Sequence, residues 1–102
     1  MSGSISAQQS EGGLLICVQG RFNCEMHLPF RATYEGKLSH KQEIVVDLAA
    51  TEYIDSAALG MLLHLREQAN THESSVHLIH VPPDVRHILE ASHFQRLFKI
   101  SS

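Results

Sequence analysis

The feature that most constrains the fold is the run from Ile44 to Asn70, IVVDLAATEYIDSAALGMLLHLREQAN. It opens on consecutive β-branched residues, and Ile44 to Leu48 therefore reads as a buried strand. Ala49 to Asp55 reads as a loop. Ser56 to about Asn70 reads as a helix, with Asp55 or Ser56 able to accept from an unpaired N–H of the first turn and polar Glu67, Gln68 and Asn70 near its end. A strand leading through a short loop into a long helix is half of a crossover unit, and it demands a sheet for the helix to cover.

The rest of the chain supplies that sheet. Residues up to about Ala7 read as frayed, overlapping or followed by a short strand, and Glu11-Gly12-Gly13 reads as a tight turn. Leu14 to Val18 is apolar at every position, which suits a strand covered on both sides, ended by Gly20. A loop from Arg21 to Leu28 brings Pro29 to the first position of a helix carrying Phe30, Tyr34 and Leu38 on one stripe. Val76 to Val81 reads as another strand, Pro82-Pro83-Asp84 opens a short helix with Val85, Ile88 and Leu89 on one side, and Leu97 to Ile100 closes the chain as a strand or packed tail. After an opening hairpin, strands and helices alternate. The expectation is an α/β domain spanning residues 1–102, with a mixed four- to five-stranded sheet, right-handed crossovers and helices packed mainly on one face. Functional groups in such sheets gather outside the carboxyl ends of the strands, which is where the loop after Leu48 lies.

The long helix has more apolar surface than one core face needs. At about 100° per residue, Ala58, Leu62, Leu65 and Ala69 fall on one stripe, the natural inner face. Ser56, Leu59, Gly60 and Leu63 fall on a second stripe at positions i, i+3, i+4 and i+7. Gly60 lowers helix stability by about 1 kcal/mol against alanine. Close approach by another backbone would account for it, either from a neighbouring helix of the domain or from a partner docking on a ridge headed by Ser56. A phosphate on Ser56 would add about −1.5 to −2 charge beside Asp55. A helix N-terminus tolerates such an anion, so the fold would survive while a partner packed on the uncharged ridge would not.

Composition narrows the function classes. A chain of 102 residues with net charge −3 lacks the clustered Lys and Arg of a nucleic-acid or anionic-membrane surface. No apolar run approaches the roughly 20 residues of a membrane span, and the small, polar stretch from Met1 to Gly13 has no signal-peptide core, so a cytoplasmic location is expected. Cys17 and Cys24 fit neither a redox pair nor a zinc site and read as reduced thiols. The 8 histidines are dispersed with no ligand spacing, so neither metal nor cofactor is expected. Catalysis by a nucleophilic Ser56 is not expected, because Ile54-Asp55-Ser56-Ala57-Ala58 lacks the flanking glycines of a nucleophile elbow. A histidine phosphocarrier is not expected either, because no histidine stands at an evident helix N-terminus.

The segment from Ile44 to Glu67 resembles the signature of STAS domains, in particular bacterial anti-sigma factor antagonists: a strand ending in Asp-Leu, a loop to Asp-Ser, then a small residue and a Leu-Gly pair in a helix. Gly20-Arg21-Phe22-Asn23 stands where that family has a Gly-x-Leu-Asp turn, and FQRLFKI, Phe94 to Ile100, resembles its closing segment. The resemblance covers essentially the whole chain. It implies a single STAS-type domain, not an enzyme, with Ser56 as phosphoacceptor. Its partners would be an anti-sigma factor with serine kinase activity and a PP2C-type phosphatase. The unphosphorylated form would bind the anti-sigma factor and free a sigma factor. The implied partner surface runs from Thr51 to Leu63, comprising Thr51, Tyr53, Asp55, Ser56, Ala57, Leu59, Gly60 and Leu63, with Gly20 and Asn23 at the same end. Two positions depart from the pattern: Asn23 replaces the usual acidic residue, and Ala57 removes an alternative hydroxyl. A STAS subunit that binds the ATPase of an ABC-type lipid transporter, with no phosphorylation cycle, is the competing reading. A monomer or weak dimer is expected, with no nucleic acid and no membrane insertion.

Overall fold

The computed structural model describes residues 3–102. Six strands and three helices follow in the order β1 (Ser4–Ser10), β2 (Gly13–Phe22), α1 (His27–Tyr34), β3 (Glu43–Asp47), β4 (Thr51–Ile54), α2 (Ser56–Thr71), β5 (Ser75–Ile79), α3 (Pro83–Ala91) and β6 (Lys99–Ile100). The sheet runs β1-β2-β3-β5-β6, and β4 is joined to the far end of β2. β1 and β2 are antiparallel and every other pairing is parallel. This is the mixed sheet expected, with one more strand than the sequence reveals.

One face of the sheet is dry. Leu14, Ile16, Val18, Ile44, Val46 and Leu78 are at most 3% exposed and pack with Phe30 and Tyr34 of α1, Ala58, Leu62, Leu65 and Ala69 of α2 and Val85 and Leu89 of α3. All three helices therefore cover the same face. The alternate positions Leu15, Cys17, Val45, His77 and Ile79 point the other way and are only half-buried. The apolar run LLICV is thus covered on one side, not two: its second face carries apolar residues without a helix over them.

Several boundaries differ from the sequence expectation. Ser4 to Ala7, expected to fray, lie in β1, tied by an unbroken register from Ser4↔Gln19 to Ser10↔Gly13; Met1 and Ser2 lie outside the described residues. Gly20 does not end β2. Its φ of 80° lets the strand slip one register step and continue to Phe22. The expected loop from Arg21 to Leu28 instead holds that strand end, a 3₁₀ turn at Cys24–Met26 and the start of α1. Pro29 is consequently the third residue of α1, still within the first turn, where a missing N–H costs nothing. α1 stops at Tyr34, ahead of Gly36 with φ of 75°, so Leu38 reaches the core from the following loop and not from a helical stripe. His80 falls just past β5 with a left-handed φ of 54°.

Candidate functional site

The site begins where β3 ends. Asp47 accepts a hydrogen bond from the Ala49 N–H at 2.9 Å, and its carboxylate lies 3.2 Å from Nδ1 of His80. This turns the chain sharply after Leu48. The next residues, expected to be an open loop, form β4. The Gly20 N–H donates to the Ala50 carbonyl at 2.8 Å, and the Thr51 hydroxyl donates to the Val18 carbonyl at 2.9 Å. Beyond the slip at Gly20, Arg21 pairs with Tyr53 and Phe22 with Ile54. The Arg21 guanidinium stands 5.2 Å from the centre of the Tyr53 ring, close enough for a cation–π contact. Asn23 and Asp55 thus leave the paired strands together, and both are caps. The Asn23 side chain accepts from the Glu25 N–H at 3.0 Å, and the Asp55 carboxylate accepts from the Ala58 N–H at 2.9 Å.

That last bond resolves the ambiguity at Asp-Ser. Asp55, in extended conformation with φ of −121°, is the N-cap of α2, and its charge is favoured by the helix dipole. Ser56 is the first helical residue, and its side chain is exposed. The two stripes separate as their spacing requires. Ala58, Leu62, Leu65 and Ala69 are fully buried, whereas Leu63 is 40% exposed, Ala57 and Leu59 are half-buried and Gly60 is exposed. A methyl group placed on Gly60 would meet nothing within 4 Å. No neighbouring element of the domain therefore requires that glycine, and packing inside the domain does not explain it.

Gly60 instead lines a cleft of about 340 Å³ between α1 and α2, with Phe30 and Tyr34 on one wall and Ala57, Met61 and His64 on the other. The Tyr34 phenol and Nδ1 of His64 share a hydrogen bond of 2.5 Å across it. Burial, more than the nearby charge of Glu35, pushes the Tyr34 phenol above its ordinary value of 10.0, with Arg31 acting in the opposite sense.

Of the residues expected at the site, Gly20, Asn23, Tyr53, Asp55, Ser56, Ala57, Leu59, Gly60 and Leu63 gather around the β2 and β4 ends and the outer face of α2. Thr51 is the correction. It is 3% exposed, and its hydroxyl is committed to Val18, so it fastens the segment from beneath and presents no surface. Two exposed groups went unseen in the sequence: Arg21, whose contact with Tyr53 depends on the register slip, and Leu28, 73% exposed in the first turn of α1. Leu28 carried a signal, being an apolar residue off the Phe30–Tyr34 spacing. Among the described residues no cluster of His, Cys, Asp and Glu could hold a metal ion, and no helix is long and apolar enough to cross a membrane.

The family model described as Mlab, STAS domain, matches residues 5–99. The chain belongs to the STAS domain family. It is 44% identical over 100 residues to a STAS-domain containing protein of Pseudomonas aeruginosa, covering 96% of this chain and 99% of that one. It is 25% identical over 99 residues to BtrV of Bordetella bronchiseptica, described as a candidate anti-sigma factor antagonist, covering 96% of this chain and 85% of that protein. Among solved structures it shares its STAS fold with the anti-sigma factor antagonist SpoIIAA. The unphosphorylated form superposes with a TM-score of 0.75 at 14% identity, covering 97% of this chain and 88% of that one. The phosphorylated Bacillus form gives 0.69 at 11% identity, covering 97% and 92%.

Proposed function

We propose that this STAS protein is a cytoplasmic anti-sigma factor antagonist: unphosphorylated, it binds an anti-sigma factor and releases a sigma factor, and phosphorylation of Ser56 switches that binding off. The observation that carries the reading is the exposed Ser56 hydroxyl at the first position of α2, heading an outer stripe on which Leu63 is 40% exposed and Gly60 stands open. The described role of BtrV and the existence of SpoIIAA in both phosphorylation states support it.

The physics of the switch follows from that position. Asp55 occupies the Ala58 N–H, and the remaining first-turn N–H groups with the helix dipole favour an anion on Ser56. The added charge of about −1.5 to −2 therefore leaves α2 folded. It would lie at the rim of the apolar ridge, where an approaching partner would have to desolvate it against Leu59 and Leu63. The domain has no catalytic part in this cycle: a serine kinase, which the anti-sigma factor itself would supply, adds the phosphate, and a PP2C-type phosphatase removes it. Tyr53, with Arg21 over its ring, and Asn23 would form the flank of the same surface.

The test is affinity capture with Ser56→Ala and Ser56→Asp baits, read by mass spectrometry, alongside phosphosite mapping of the protein from cells. The reading expects an anti-sigma factor on the Ala bait, its loss from the Asp bait, phosphate on Ser56 and matching circular dichroism spectra for both variants. Capture of a transporter ATPase equally by both baits, with no phosphate on Ser56, would replace it with the accessory-subunit reading.

A further inference from the structure

The two ends of the strand path β1-β2-β3-β5-β6 are built differently. β6, at one end, has two residues, one of them Lys99, and offers almost no template for pairing. β1, at the other end, has seven residues, SISAQQS, with neither a charge nor a proline, and its register against β2 runs without a bulge. Six of the seven are exposed. Edge strands are ordinarily protected from pairing by charges, prolines, bulges or shortness, and β1 has none of these.

The sequence of β1 is matched to itself. An antiparallel pairing about a two-fold axis at Ala7 sets Ser4 opposite Ser10, Ile5 opposite Gln9, Ser6 opposite Gln8 and Ala7 opposite its own copy. No pair opposes like charges, and the hydroxyl–amide pairs can hydrogen-bond across the strands. The net charge of −3 on each copy is small, and repulsion between bodies is screened over about 8 Å at physiological ionic strength.

We propose that β1 is a self-association edge, through which two copies of this chain join antiparallel into one continuous sheet. A single pair of seven-residue strands buries less than the roughly 1,200 Å² of a stable interface, so the dimer is weak and concentration-dependent. α2 lies over β4 and β5, so the two Ser56 ridges stay open in the pair.

The register provides the test. Ser6 and Gln8 share the helix-free face, because they pair with Cys17 and Leu15. In the two-fold arrangement residue 6 of one copy faces residue 8 of the other. Ser6→Glu with Gln8→Glu places like charges opposite each other and should weaken dimerisation roughly tenfold or more, whereas Ser6→Glu with Gln8→Lys makes two opposite-charge pairs and should restore it. Sedimentation velocity from micromolar to millimolar protein reads the equilibrium, and hydrogen exchange should show β1 amides gaining protection with concentration. A wild-type chain that stays monomeric throughout overturns the proposal, and so does a dimer on which both double variants act alike.

Discussion

The two long faces of α2 are made from the same kinds of residue and do opposite things. Ala58, Leu62, Leu65 and Ala69 are fully buried against the sheet, while on the second stripe, a fraction of a turn away, Ser56, Gly60 and Leu63 are exposed and Leu59 is half-buried at the margin of the core. Nothing in the side-chain chemistry of Leu62 and Leu63 distinguishes them. Only the angle at which each leaves the axis does, and that angle is fixed by where the Asp55 cap starts the helix. A domain with a modest core can thus carry exposed apolar surface without loosening its own packing: the inner stripe is buried against the sheet, and the outer stripe is the one the proposed function gives to a partner.

The sharpest way to break this contrast is to truncate the neighbours. Leu62→Ala should lower unfolding free energy in urea by about 2–5 kcal/mol, while Leu63→Ala should stay within about 0.5 kcal/mol of wild type. Comparable losses would mean that the outer stripe is part of the core. Leu63→Glu, equally harmless to the fold, should abolish retention of whatever protein the Ser56→Ala bait holds; full retention would remove Leu63 from the interface. A smaller effect separates Asp55 from Ser56. Asp55→Ala removes the cap and should cost about 1 kcal/mol, whereas Ser56→Ala should shift the same urea transition by only a few tenths. One further effect, no larger than the loss of the cap, has the opposite sign. Gly60→Ala has open space for its methyl group, so it should stabilise the domain by about 0.5–1 kcal/mol. A lower melting midpoint in that variant would show that the glycine serves the fold after all.

What the sequence showed depended on how far each element's signal was local. α2 was legible nearly to its ends, since its stripes and its cap are both written in Asp55 to Asn70. The central strands were legible because Ile44 to Val46 and Leu14 to Val18 are continuous and apolar. β4 was not, because TEYI has polar residues at half its positions and exists as a strand only through its partner, the end of β2, which it meets after the register slip at Gly20. The opening hairpin was legible from the Glu11-Gly12-Gly13 turn, but the start of β1 was not, because an exposed edge strand needs no apolar pattern. Ser56 could be identified as a candidate from pattern and resemblance, but its division of labour with Asp55 appeared only in the Asp55–Ala58 hydrogen bond. Thr51 was misplaced because the carbonyl it serves lies on a different strand.

The fastening of β4 to β2 has a consequence for any enzyme that acts on Ser56. Residues 51–54 are held in a sheet, and residues from 56 onward are held in a helix, so the hydroxyl sits on a stiff ledge and not in a flexible substrate loop. An active site that recognises an extended peptide would have to peel that ledge away. One that accepts the folded domain needs no such step, and it reads shape in place of a linear motif. A synthetic peptide covering Tyr53 to Leu63 would then be a poor substitute for the intact protein, however faithfully it copies the letters.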